Sequence, residues 1–235
     1  MTEALPPGMH EPCNVFCDRG AIAEYIIKEG LDVRVVAAKN PFARGHVLVI
    51  PVGAYNSVAD WVSAVPRISS VGPTLIRVIN AIGAEWGWPV DVIEHGGQFT
   101  QNVPHGHIQI YHTDATRPTL QEAIATRARK MFEGTMPYFA YGAFIKLDPQ
   151  FGYLAVGHFE GPVHPPPSLV FYDPSGFGTK NRQPGILRAE AARLAGRPHL
   201  AKSGQIPQGY QKQVDAWTED TLHSLRVGLP ILVII

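Results

Sequence analysis

Neither sign of charge predominates in this chain of 235 residues: Lys plus Arg number 20, Asp plus Glu number 20, and the formal net charge is +0. A chain without basic excess is not built as a nucleic-acid scaffold, and no acidic or basic tail is visible. No run of about 18 consecutive apolar residues occurs, so a transmembrane helix is not expected. The apolar tail from Leu229 to Ile235 is far too short to span. The opening stretch MTEALPPGMHEP carries acids and prolines where a secretory signal has its apolar core. Cysteine is scarce, with only Cys13 and Cys17, and one close pair does not make a disulfide framework. These features together predict a soluble, cytoplasmic protein with neither nucleic acid nor membrane as partner. Its length suits one large domain or two small ones.

Glycine (23) and proline (21) are plentiful but scattered between apolar runs, which marks turns rather than disorder. DVRVV (32–36) and HVLVIPV (46–52) are rich in β-branched residues and flank AAKNPFARG, whose Asn40-Pro41 and Gly45 signal a turn, so an antiparallel pair is expected. From Val71 to Trp86, apolar residues recur every three to four positions, predicting a helix with Pro73 in its first turn. PVDVIEH (89–95) follows as a strand. Beyond Pro118, helices are expected at Leu120–Met131, Ile186–Leu194 and Val214–Leu225, and strands at Ala143–Leu147, Tyr153–Val156 and Leu169–Tyr172. HFEGPVHPPP (158–167) reads as a proline-rich loop. The fold class is therefore α+β, with an N-terminal unit over 1–118 and a C-terminal α/β extension over 119–235 packed on it. Trp61, Trp86, Trp88 and Trp217 fall at apolar spacings and are assigned to the core. His46 is read as a packed strand residue, His158 and His164 as solvated, and Arg188 as a surface charge in preference to a phosphate anchor.

The stretch NVPHGHIQIYH (102–112) sets His105, His107 and Gln109 at every second position. On a strand, residues two apart share a face, so these three form a row while Ile108 and Ile110 point into the core. Three chemistries suit such a row. One histidine acts as nucleophile at phosphorus while its neighbours position it; or His105 and His107 ligate a metal; or the side chains only solvate an edge strand. The preceding EHGGQFTQN, dense in amides and glycines, is compatible with phosphate.

HGHIQI (105–110) resembles the histidine-triad motif with glutamine in its third position, the variant of the galactose-1-phosphate uridylyltransferase branch. NPFARGHVLVIP (40–51) is similar to the N-terminal hairpin of that superfamily. IEHGG (93–97) resembles the Glu-His-Gly segment of a bacterial HIT-like subgroup, and QNVPH (101–105) the loop entering the triad strand. The likeness runs from about Asp32 to His112.

The resemblance implies a HIT-like antiparallel sheet with flanking helices and nucleotidylyl transfer at the α-phosphate of a sugar nucleotide or dinucleoside polyphosphate. His107 is then the nucleophile, its tautomer fixed by a backbone carbonyl near His105. Gln109 donates its amide to a phosphoryl oxygen, and His105 holds the adjacent phosphate or the strand geometry. Glu94, His95, Gln101 and Asn102 are the candidate substrate-binding residues. The family's ribose-binding asparagine lies three residues before the loop proline, where this chain has Ala38; Asn40 is the candidate replacement. A neutral glutamine cannot protonate a leaving group, which tilts the expectation from hydrolysis toward transfer to a phosphate acceptor. A HIT-like hydrolase and a non-catalytic nucleotide-binding protein are the alternatives. No cofactor is required. Cys13 and Cys17 resemble a structural-zinc pair, but with three residues between them instead of two; two packed thiols are the preferred reading and zinc the alternative. HIT-like units pair, and LPILVII (229–235) is an apolar strip, so a homodimer is expected.

Overall fold

In the computed structural model, the residues described are 15–64, 71–96, 105–114, 119–131, 138–140, 153–163, 169–172, 185–202 and 206–229. Gln101, Asn102, Cys13, His164 and the strand expected at 143–147 lie outside them. The protein is mixed α+β. Its strands are β1 (Ile26–Glu29), β2 (Val33–Ala37), β3 (Val47–Pro51), β4 (Val90–Gly96), β5 (Ile108–His112), β6 (Tyr138–Ala140), β7 (Tyr153–Phe159) and β8 (Leu169–Tyr172). They form one 8-stranded sheet in the order β1-β2-β3-β5-β4-β7-β8-β6. Every pairing is antiparallel. The helices are α1 (Arg19–Ile22), α2 (Val58–Ala64), α3 (Val71–Trp86), α4 (Leu120–Met131), α5 (Ile186–Leu194) and α6 (Gln211–Gly228). Among the described residues no helix is long and apolar enough to cross a membrane.

Both faces of the sheet are covered, which explains why every residue of β2 and β4 is buried, the polar Arg34, Asp91, Glu94 and His95 included. Val47, Val49, Ile108, Ile110, Val90, Val92 and Ala155 meet Val58, Trp61, Leu75, Val78, Ile79 and Ile82 of α2 and α3. On the other face Ile93, Tyr111, Leu154 and Val156 meet Leu120 and Ile124 of α4, Leu187 and Ala191 of α5, and Val214 and Trp217 of α6. Each fully buried aliphatic side chain contributes roughly 1.5–3 kcal/mol, so the central strands β5 and β4 are held from both sides. Trp61 and Trp217 are buried in these cores, and Trp86 and Trp88 are partly buried against the first.

The C-terminal half does more than lie on an N-terminal unit. Strand β7 pairs with β4 over seven positions, from Val90 opposite Phe159 to Gly96 opposite Tyr153. The extension thereby continues the sheet, and α4, α5 and α6 roof one face of it. Gly45, with φ 60°, turns the chain between β2 and β3, and a Cβ there would meet the Trp86 ring at 2.6 Å.

Candidate functional site

Strand β5 begins at Ile108, later than the sequence suggests, and His105 to His107 form the approach to it. The reason is local. Gly106 N–H donates to Tyr55 O at 2.7 Å instead of joining a ladder. From Ile108 onward the alternation is as expected: Ile108 and Ile110 are fully buried in the core under α3. Gln109 stands opposite Leu48 of β3 and Ile93 of β4, on the other face.

His107 is the partly exposed member of the row. Its Nδ1–H donates to the His105 carbonyl at 2.8 Å. A carbonyl can only accept, so the proton is on Nδ1 and Nε2 is left with its lone pair. Desolvation holds the His107 pKa below its ordinary value, opposed by the bond to the His105 carbonyl, so the ring is neutral at neutral pH. A neutral imidazole with a fixed tautomer and an accessible Nε2 can attack an electrophile or ligate a metal.

His105 is fully buried, and both its ring nitrogens are engaged. Nε2–H donates to Pro51 O at 3.3 Å, and Nδ1 accepts from the Cys17 thiol at 3.4 Å. Of the two roles expected for it, holding a phosphate or holding the strand geometry, these bonds serve the second. Phe16 lies against both rings, its centroid 5.6 Å from His105 and 5.4 Å from His107.

Gln109 and His46 form a buried pair: His46 Nε2–H donates to Gln109 Oε1 at 3.2 Å. With its oxygen held, the Gln109 amide nitrogen is the free, donating end. His46 is packed beside Phe42 and Tyr111, as expected of a strand-entry residue, but it also orients Gln109. Sequence reasoning missed that contact because nothing local relates positions 46 and 109; only the β3–β5 pairing brings them together. Burial pushes His46 well below its ordinary pKa, helped by the Arg188 charge, and its Nδ1 has no partner among the described residues.

His95 joins His46 and His107 in the same electrostatic neighbourhood, and burial pushes its pKa down to about 3. Its Nε2 accepts the Leu187 N–H at 3.2 Å. That amide belongs to the first turn of α5, whose N-cap, Gly185 with φ 76°, offers no side-chain cap. A strand residue thus caps a helix from the C-terminal half and ties α5 to the imidazole cluster.

Two expectations are corrected. Arg188 is no surface charge: it is 7% exposed and burial lowers its pKa to about 10. Its guanidinium donates to the carbonyls of Asn40, Leu200 and Ala201 at 2.7, 3.2 and 3.1 Å and lies over the Phe42 ring. It braces the β2–β3 turn against α5, which a helical-wheel argument could not anticipate because both faces of the sheet are roofed. His158 is half-buried, its Nδ1 2.6 Å from Asp91 Oδ1, and that carboxylate raises its pKa.

Glu94 does not line the His107 face. It stands opposite Ile108 in register and turns toward α2 and Tyr153. Asn40 meets the cluster's surroundings through its carbonyl on Arg188. Cys17 and the His105 ring meet, but tetrahedral zinc takes four donors, and among the described residues no group of three metal-binding side chains gathers. Cys13, the other thiol of the pair, lies outside the described residues. Compared by sequence, the chain matches no protein-family model and no curated protein.

Proposed function

We propose that this chain is a HIT-like enzyme of nucleotidylyl transfer, with His107 as nucleophile toward the α-phosphorus of a sugar nucleotide or dinucleoside polyphosphate. The observation that carries the reading is the 2.8 Å bond from His107 Nδ1–H to the His105 carbonyl. It leaves Nε2 unprotonated on a neutral, partly exposed ring, the form a nucleophilic imidazole requires.

In the first step Nε2 forms a P–N bond as the P–O bond to the leaving phosphate or sugar phosphate breaks, the electron pair departing with that oxygen. In the second step a phosphate oxygen of the acceptor attacks phosphorus, the P–N bond breaks and its pair returns to Nε2. The Gln109 amide nitrogen donates to a nonbridging oxygen in both pentavalent states, with His46 holding its oxygen end. No general acid stands at position 109, which favours phosphate over water as acceptor.

The test is intact-mass measurement after incubation with nucleoside diphosphate sugars and dinucleoside polyphosphates. The expected result is an acid-labile adduct of nucleoside monophosphate mass that His107→Ala does not form. Absence of any adduct in the wild type, with every such substrate, overturns the covalent reading. The apolar LPILVII strip supports a homodimer, to be read by light scattering at micromolar concentration.

A further inference from the structure

We propose that Glu94 and Tyr153, on the face of the sheet opposite His107, form a clamp on α2 that positions the nucleophile through the His105–Gly106 peptide. The inference rests on the reading of His107 as the nucleophile, but the clamp has a readout of its own.

The argument begins with one peptide unit. A trans peptide is planar, and its C=O and N–H point in opposite directions. In the unit joining His105 to Gly106, the N–H donates to Tyr55 O at 2.7 Å and the C=O accepts from His107 Nδ1–H at 2.8 Å. Fixing the N–H end therefore aims the carbonyl that sets the His107 tautomer. Gly106 is also in tight contact with the start of α2. A Cβ there would lie 2.4 Å from Ser57 C and 2.7 Å from Val58 N, so only glycine admits this approach. The backbone between Tyr55 and Val58 is thus the wall against which the nucleophile's support is built.

That wall is held from beneath. Glu94 Oε1 accepts from Val58 N–H at 3.0 Å and from Tyr153 O–H at 2.6 Å, and Tyr153 O accepts from Ala59 N–H at 3.2 Å. Two of the first amides of α2 are thereby bound to side chains of β4 and β7. Ser57 and Asp60 close the same turn: Asp60 N–H donates to Ser57 Oγ at 3.1 Å and Ser57 O–H to Asp60 Oδ2 at 2.7 Å. Glu94 and Tyr153 are buried, at 1% and 2% exposure. The charged group facing Glu94 from α2 is Asp60, and from β7 it meets Tyr153. Glu94 Oε2 has no partner among the described residues, which suits a protonated acid. Glutamine, which keeps the accepting oxygen, is accordingly the conservative replacement.

The experiment follows the imidazole nitrogens of His107 by long-range ¹H–¹⁵N correlation in the full chain, together with the rate of adduct formation. Tyr153→Phe and Glu94→Leu are expected to lose the pure Nδ1–H signature of His107 and to slow adduct formation about tenfold or more, as small misplacements of reacting groups do. Glu94→Gln is expected to keep both the signature and, within about twofold, the rate. Ile82→Ala, a cavity in the same core beside Gly45 of the β2–β3 turn, controls for loss of stability. The proposal is overturned if folded Tyr153→Phe and Glu94→Leu keep the wild-type His107 tautomer, or if Ile82→Ala disturbs it equally. If the wild type forms no adduct at all, the nucleophile reading fails while the tautomer comparison still decides the clamp.

Discussion

Replacing Glu94 by glutamine is expected to make the protein's stability less sensitive to alkali, by an amount the structure sets. Burial pushes the Glu94 carboxyl up to about 8 from an ordinary 4.5, with the Asp60 charge adding to the rise and the bonds from Tyr153 and Val58 opposing it. A carboxyl whose folded pKa lies above its unfolded one contributes stability that is fully present below the unfolded pKa and is lost as pH rises through the folded value. The window is therefore about pH 4.5 to 8, and the gap corresponds to on the order of 5 kcal/mol across it. Glu94→Gln keeps the accepting oxygen and cannot ionise. The assay is urea unfolding of wild type and Glu94→Gln at intervals from pH 5 to 9. The difference between the two proteins is the quantity to follow, because His158 and the low-pKa imidazoles titrate in both and cancel. The mutant should gain on the wild type steadily up to about pH 8 and hold its lead above it. A difference independent of pH would refute the reasoning: Glu94 would then keep the same pKa folded and unfolded, contrary to its buried position under α2.

Four further outcomes follow from the site. His107→Ala should cost at least about three orders of magnitude in turnover, about 4 kcal/mol of barrier, with circular dichroism unchanged; near wild-type rates would defeat the covalent mechanism. His46→Leu keeps the packing beside Phe42 and Tyr111 but frees Gln109 Oε1, so adduct formation should slow by about 10²-fold with little change in substrate affinity, as loss of one preorganised donor does; an unchanged single-turnover rate would remove His46 from the machinery. Gln109→His should raise the ratio of hydrolysed to transferred product at fixed phosphate acceptor, since histidine can donate a proton and glutamine cannot; an unmoved ratio would show that position 109 does not choose the acceptor. The Asp91 carboxylate raises the His158 pKa, so this pair's contribution is full below about pH 6.5 and is lost as pH rises through the folded value; in thermal melts, His158→Gln should abolish that part of the decline.

What the sequence determined by itself was local. Strand Leu169–Tyr172 was legible only as a short apolar run; the helices Val71–Trp86, Leu120–Met131 and Ile186–Leu194 have the limits their periodicity predicts, because an apolar stripe has a period of its own. The hairpin β2–β3 and the row through Gln109 were legible for the same reason: alternation places Ile108 and Ile110 on one face whatever lies beyond. The short helix α2 and strand β1 escaped, since seven residues and four give a period too few repeats to declare itself. Tertiary structure decided everything that depends on pairing between distant segments. His46 reaches Gln109 only because β3 lies beside β5. His95 becomes a helix cap only because α5 is laid over β4. Arg188 is buried instead of solvated because the C-terminal half extends the sheet through β7 and roofs its second face. The side of the sheet that receives Glu94 likewise follows from register: opposite Ile108, it shares the core face and falls under α2, away from His107. Sequence fixes which residues alternate, but the chemistry of a buried imidazole or carboxyl is set by desolvation and by the one or two partners that long-range pairing brings within 3 Å or so of it.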